Sequence, residues 1–530
     1  MKKWTLFLVS ISLLIPNSGF CQTASKAQNS SLVQFREIHV DASKVKGTIR
    51  SFQGVNGTPT PIMESLPDLT QQYKDLRIDM VRTHDTMGPT DIDEHFSTDN
   101  LLLAWLVPDS ERRAKLVKAG NNAALFPNWN ADPEKAESYN FAPSDKFVNG
   151  IRDAAAEVYF RIGRSWGADY TPLPAADKFA SVVKHVAMHY NRGWAGGFHD
   201  NIRYWEFWNE PELPIFWTES PETFYKFYEQ TARALKSVDA ALKVGADAKA
   251  LAYAQGPYRE GLITYCAQHK VPLDFYSWHH YTMNSADPYD FSRIASDVRQ
   301  FMDDHGFAKS ESILSEWNLT PDFTEPERPR LAGIENAAFM GDVLIYLQDS
   351  PVDRAHFYRA DGAWMGLFGA HGEYLKPAFT FLATGKMLST SERLEVSGAD
   401  TVGFAVLAGR SSNRKTVQVL VSNYEIPTNC RPTPMKVPEG SLPENMPMPD
   451  FSKMRSLPLR TNIGYERNRG YHLVVDHLPW GQAAFKVQRY RLTSAQDFAL
   501  VEESSSTGGK LDISNRLPPP SLELIVLKGK

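Results

Sequence analysis

Tyr204-Trp205-Glu206-Phe207-Trp208-Asn209-Glu210-Pro211-Glu212 is the stretch on which the architecture turns. Its first half alternates as a β-strand does, and Asn-Glu-Pro then stops it, because proline cannot donate to the next ladder bond. The segment Ser312-Ile313-Leu314-Ser315-Glu316-Trp317-Asn318 repeats the pattern: a short apolar run closed by a carboxylate beside an aromatic ring. Glu210 and Glu316 are 106 residues apart. A β/α unit of a barrel takes about 31 residues, so about three units and their loops separate the two. The spacing predicts that they end strands four and seven and face each other across a barrel mouth.

Gly54-Val55-Asn56-Gly57 follows a first strand-like run, and further strand-like runs occur at 78–84, 158–163, 242–245, 273–279 and 355–358. Between them lie segments with helical spacing, such as Phe179, Val182, Val183 and Val186, or Phe224, Phe227, Tyr228, Thr231 and Leu235. Repeated β-then-α units argue for parallel strands, and eight of them suit a closed ring. The predicted fold class is α/β, a (β/α)8 TIM barrel over residues 33–385 with a C-terminal antiparallel β-sandwich over 386–530. From residue 386 onward, strand-like runs at 401–408, 416–422, 471–477, 484–492 and 521–527 follow one another without a helix. The early run 33–40 is assigned to the barrel segment, with membership of the sandwich as the alternative. A proline-rich loop at 425–458 excludes regular pairing there.

Composition excludes some classes. The 530 residues carry a net charge of −5, without the basic stripe of a nucleic-acid binder. Lys2 and Lys3, an apolar run from Trp4 to Pro16 and small or polar residues after it read as a signal peptide over residues 1–24, and so as an exported protein, periplasmic or secreted. The run is too short for a membrane span. Ser18-Gly19-Phe20-Cys21 resembles a lipoprotein box, although Phe20 is bulky for that position, so lipidation is the lesser alternative. Cys266 and Cys430 are expected to be free thiols. No CxxC or HExxH occurs, and neither a metal nor a cofactor is expected.

Two carboxylates across a pocket suit glycoside cleavage. One, protonated, gives its proton to the leaving oxygen; the other, ionised, attacks the anomeric carbon. The negative neighbour raises the acid's pKa and keeps it protonated near neutrality. Glu206 and Glu212 are rivals to Glu210. Glu206 shares the parity of Glu210 and is expected to point inward as a buried partner, whereas Glu212, past the proline, is expected to face solvent or a subsite. Arg82 reads as a buried structural pair for a strand-end carboxylate.

These segments resemble glycoside hydrolase family 39, the group of β-xylosidases and α-L-iduronidases, over nearly the whole chain from Val33. YWEFWNEPELPIFW (204–217) is similar to its acid/base strand and ILSEWN (313–318) to its nucleophile strand. Gly54-Val55-Asn56, Val81-Arg82-Thr83-His84, Ser277-Trp278-His279-His280-Tyr281, Gly366-Leu367-Phe368 and Lys376-Pro377 are also similar to family segments. The resemblance implies a barrel with an attached sandwich, Glu210 as general acid/base, Glu316 as nucleophile, and Asn209 on the C2 hydroxyl. It also implies that His84, His279 and Tyr281 line the sugar subsite. Tyr281 can donate to the nucleophile, and His280, of opposite parity to His279, is expected to turn outward. Trp317 and Trp364 are candidate aromatic walls.

Two regions depart from the family pattern: the long insertion between strands two and three, with Phe126-Pro127-Asn128-Trp129-Asn130, and the strand-eight text Phe357-Tyr358-Arg359-Ala360-Asp361-Gly362-Ala363-Trp364. Mechanism follows the carboxylates, and specificity the loops. The expected partner is an oligo- or polysaccharide, cleaved as a terminal β-xyloside or related sugar. Endo action, or an arabinosidase, galactosidase or uronidase specificity, is the alternative. A uronidase needs a cationic clamp, for which Arg359 and Lys376 are candidates. A non-catalytic sugar-binding protein is a third class, disfavoured because both carboxylates are present.

Overall fold

The computed structural model describes residues 35–529, except 62–65, 97, 99–108, 166–171, 214–215, 283–285, 321–326, 362–364, 425, 427–459 and 461–469. The expected leader, Cys21, Trp364, Cys430 and most of the proline-rich loop lie outside the described residues.

Eight parallel strands close a barrel: β2 (Gly54–Asn56), β3 (Met80–Arg82), β4 (Glu157–Ile162), β5 (Tyr204–Phe207), β6 (Lys243–Lys249), β7 (Phe275–Tyr281), β8 (Glu311–Asn318) and β9 (Arg354–Phe357). Glu210 therefore follows the fourth barrel strand, and Glu316 sits near the end of the seventh. Inward residues Met80, Tyr159, Tyr204, Phe275 and Ile313 fill the barrel below the mouth as one apolar layer. Ten α-helices are described: α1 (Thr70–Asp75), α2 (Ser110–Asn121), α3 (Ala142–Asp153), α4 (Ala176–Arg192), α5 (Pro221–Val238), α6 (Leu262–His269), α7 (Asp290–Asp304), α8 (Glu327–Ala332), α9 (Ile334–Tyr346) and α10 (Lys376–Met387). Helix α5 shows the local logic. Ser220 caps Thr223 N, Pro221 opens the first turn, and Phe224, Phe227, Tyr228, Thr231 and Leu235 are buried at helical spacing. No helix among the described residues is long and apolar enough to cross a membrane.

The remaining strands are β1 (Phe35–Thr48), β10 (Glu392–Ser397), β11 (Phe404–Arg410), β12 (Thr416–Asn423), β13 (Gly470–Asp476), β14 (Phe485–Leu492), β15 (Ala499–Ser506), β16 (Leu511–Arg516) and β17 (Ser521–Gly529). They form one hydrogen-bonded sheet in the order β15-β14-β17-β12-β11-β10-β1-β13-β16. Strand β1 lies in this sheet, antiparallel to β10 and parallel to β13. Ile38, Val406, Val419, Leu473, Val487 and Ile525 share one core although their strands are spread across the sheet, so the sheet curls round it. The opposite faces of β11, β12 and β17 pack on α9 and α10 through Leu407, Leu420, Leu524, Ile345 and Met387. Lys376 is absorbed in this junction, donating to Thr493 O at 2.7 Å and Gln496 O at 3.2 Å and pairing with Asp497. It is remote from any sugar clamp. Cys266 is a buried free thiol.

Candidate active site

Two breaks in strand alternation aim the glutamates. On β5, Tyr204 and Glu206 point inward, but Trp208 takes a left-handed φ of 69° and turns out against Trp217 and Phe179. Asn209 is thereby turned inward, where it meets Arg82, and Glu210 (φ 44°) is tied to β6 through its N–H to Ala248 O, 3.1 Å. On β8 the register slips beside β7 between Leu314 and Glu316, so Ser315 is an extra residue. Strict alternation from the inward Ile313 would turn Glu316 outward; the bulge brings it in, a common use of bulges beside active sites.

The two carboxylates meet at His279. Its Nδ1 is hydrogen-bonded to Glu210 Oε1 at 2.8 Å and lies 3.4 Å from Glu316 Oε2. One oxygen from each glutamate and a ring nitrogen of His279 all lie within 4.8 Å of one another. The three groups also have the composition of a small cation site, in which a metal would compete with the proton that burial holds on Glu210.

The partners of the two glutamates differ. Arg82 Nη1 donates to Glu316 Oε1 at 2.7 Å, and Tyr281 OH donates to Glu316 Oε2 at 2.9 Å. Burial pushes the Glu316 carboxyl up to about 7, against the lowering by Arg82 and Tyr281. Glu210 is held well above the ordinary carboxylate range, first by burial and then by the negative fields of Glu316 and Glu212. With Arg82 and Tyr281 both directed at Glu316, Glu210 is the group that keeps its proton longer. His279 and His84 are neutral: burial, then the Arg82 charge, holds each well below the usual imidazole range.

Arg82 organises the floor of the site. Besides Glu316 it donates to Glu206 Oε2 (2.6 Å), Asn56 Oδ1 (3.1 Å) and Asn209 Oδ1 (2.8 Å). Glu206 is the inward structural partner and also accepts from Tyr159 OH at 3.0 Å. Because Asn209 Oδ1 is held by Arg82, its amide Nδ2 is left buried without a protein partner, a donor available to a hydroxyl. His84 Nε2 lies 3.3 Å from Glu316 Oε1 and 3.3 Å from Asp85 Oδ1. The structure thus gathers Glu210, Glu316, Asn209, His84, His279 and Tyr281 around one point.

Three expectations are corrected. Trp317 is no wall of the mouth: past the bulge it turns outward, fully buried, with its ring against Phe291 and Phe357. Glu212 is not solvent-facing. It is buried, accepting from Lys249 Nζ at 3.2 Å and Leu251 N at 3.0 Å. Arg359 stays near the mouth, but its guanidinium is paired with Asp361. His280 turns outward as expected, packed beside Tyr253 and Phe291. Sequence reasoning missed Asp85 and Arg161. The signal for Arg161 was a cation inside the apolar run VYFRIG, and that for Asp85 was a charge directly after the strand-end histidine.

Known proteins are similar to this chain in sequence and fold. The model of "Glycosyl hydrolases family 39" matches residues 130–359. A β-xylosidase of Geobacillus stearothermophilus is 28% identical over 178 residues, 31% of this chain and 34% of the relative. A β-xylosidase of Caldicellulosiruptor saccharolyticus is 24% identical over 288 residues, 48% of this chain and 55% of the relative. The match thus spans between a third and somewhat over half of these two curated relatives. The crystal structure of a glucosidase from Croceicoccus marinus superposes with a TM-score of 0.79 at 32% identity, covering 94% of this chain and 100% of that one. With that full-length likeness, the family match across β4 to β9 and the paired glutamates on the fourth and seventh strands, the chain belongs to glycosyl hydrolase family 39.

Proposed function

We propose that the protein is an exported retaining glycoside hydrolase that removes a terminal sugar from a β-xyloside or a closely related β-glycoside, including a β-glucoside. The observation that carries this reading is the approach of the two carboxylates: oxygens of Glu210 and Glu316 lie within 4.8 Å of each other. Direct attack by a carboxylate needs a separation of about 5–5.5 Å, whereas an interposed water needs about 6.5–9.5 Å. The relatives named above, two β-xylosidases and a glucosidase, supply the sugar classes.

The chemistry follows from the two environments. Glu210, protonated, transfers its proton to the glycosidic oxygen as the C1–O bond breaks. Glu316, ionised and held by Arg82 and Tyr281, forms a bond to C1. Loss of the Glu316 charge then lowers the pKa of Glu210, which, now ionised, takes a proton from water as that water attacks C1 and releases Glu316. The Asn209 amide donates to the C2 hydroxyl, where hydrogen bonding tightens in the transition state. The test is a panel of 4-nitrophenyl β-glycosides with wild type and Glu316→Ala. The expected result is turnover of the β-xyloside or β-glucoside, its loss in the variant, and rescue by azide to give the α-glycosyl azide. Undiminished turnover in Glu316→Ala refutes the assignment.

A further inference from the structure

Beside the nucleophile lies a group of buried polar atoms that the hydrolytic cycle does not use. Arg161, on β4, is fully buried; its Nη2 donates to Asp91 Oδ1 at 2.9 Å and Ser165 Oγ at 3.2 Å, while Nε and Nη1 have no partner. The Arg161 N–H donates to Thr83 Oγ1 at 3.1 Å, which ties this part of β4 to the segment carrying His84 and Asp85. Asp85 Oδ2 accepts from Tyr358 OH at 2.6 Å, but Oδ1 has no hydrogen bond and lies 3.3 Å from His84 Nε2. His84 Nδ1 is also unpartnered. A buried donor or acceptor left unmet is costly, so several together beside a reacting centre point to a ligand that completes them. Burial raises the Asp85 carboxyl and lowers the His84 imidazole; the Arg161 charge is a smaller contribution that lowers both, which places its field on both groups.

The chemistry of the set restricts that ligand. It offers donors and one carboxylate acceptor together. A hydroxyl donates and accepts, and so satisfies both kinds; a carboxylate only accepts, and would confront Asp85 Oδ1. The cations nearby are already matched, Arg161 by Asp91, Arg359 by Asp361 and Arg82 by Glu206 and Glu316. No guanidinium of this group is left uncompensated for an acidic sugar. Asp85 Oδ1 and Glu316 Oε1 each lie 3.3 Å from His84 Nε2, so Asp85 borders the subsite of the sugar that Glu316 attacks. Resting on the glycosidase reading, in which Asn209 takes the C2 hydroxyl, we propose that Asp85 and Arg161 determine specificity by binding the remaining C3 and C4 hydroxyls of the sugar that Glu316 attacks, and that they admit a neutral pyranoside and reject a uronide.

The experiment compares 4-nitrophenyl β-xyloside, β-glucoside and β-glucuronide, and the 3-deoxy and 4-deoxy xylosides, with wild type, Asp85→Asn and Arg161→Gln. Wild type is expected to cleave the neutral glycosides, to leave the glucuronide uncut, and to lose about 10²-fold or more in kcat/KM on a deoxy substrate. Each variant is expected to lose a similar factor on the xyloside, with little further loss on the deoxy sugar, because the contact is already gone. Melting temperatures separate misfolding from lost contact, and the wild-type arms stand without either variant. Preference for the glucuronide, wild-type indifference to both deoxy sugars, or fully additive losses in both variants overturns this inference alone. Absence of turnover on every glycoside overturns the hydrolase reading together with it.

Discussion

Arg82 Nη1 lies 2.7 Å from Glu316 Oε1, with neither side chain appreciably open to solvent. The same guanidinium holds Glu206, Asn56 and Asn209, so one cation sets the position of the glutamate proposed as nucleophile and of the amide proposed for the C2 hydroxyl. Lysine cannot reproduce that planar fork. Arg82→Lys is expected to lower kcat by about 10²-fold and to move the acid limb of the pH profile upward, because the cation that opposes protonation of Glu316 is no longer in place. Steady-state kinetics across pH check this; an unmoved limb contradicts it.

The wild-type profile of kcat/KM is expected to be bell-shaped and displaced upward for a pair of carboxyls. In the proposed cycle Glu316 must be ionised, so activity is expected to fall as pH drops through its pKa of about 7. In the same cycle Glu210 must be protonated, so activity is expected to fall again as pH rises through its own, raised pKa. On an aryl glycoside with a good leaving group, Glu210→Gln is expected to erase the alkaline limb and spare the acid one. Loss of the acid limb instead would reverse the two roles.

Glu212 and Lys249 form an ion pair behind Glu210, each about 1% exposed. Removing one partner leaves the other charge buried, which costs about 3–5 kcal/mol. Lys249→Met is therefore expected to lower stability by about 3 kcal/mol in denaturant titration, with Lys249→Met/Glu212→Leu recovering much of it. Equal losses in the single and double variants would show that the pair does not couple.

The positions of Glu210 and Glu316 were legible because each closes a short apolar strand, and Glu206 and Arg82 because a charge inside an apolar strand must find a partner. Alternation misled at Trp317, since the extra residue Ser315 resets which side chains face inward, and a bulge depends on the neighbouring strand's register. Glu212, in the turn after β5, was misread because its partner lies 37 residues away at the end of β6. The likeness of β1 to a barrel strand is equally local: its pairing with β10 and β13, hundreds of residues on, decides which sheet it joins.

His280 is buried with both ring nitrogens unpartnered, and burial pushes its imidazole down to about 3. The folded state therefore keeps it neutral while the unfolded chain takes up a proton below about 6.5. Its contribution is fully present above that pH and is lost as pH falls toward 3, about 2 kcal/mol between pH 6.5 and 5. His280→Phe is expected to flatten the fall in stability over that window, with no loss at pH 7.5. Denaturant midpoints at the two pH values give the answer; an unchanged slope would place the acid sensitivity elsewhere.

The closeness of Glu210 and Glu316 is tested most directly by proton NMR of the first-formed sugar during hydrolysis of a 4-nitrophenyl β-glycoside, before mutarotation. Direct attack by Glu316 followed by water gives the β-anomer first. First appearance of the α-anomer would mean a single displacement by water, and would contradict the roles assigned to both glutamates.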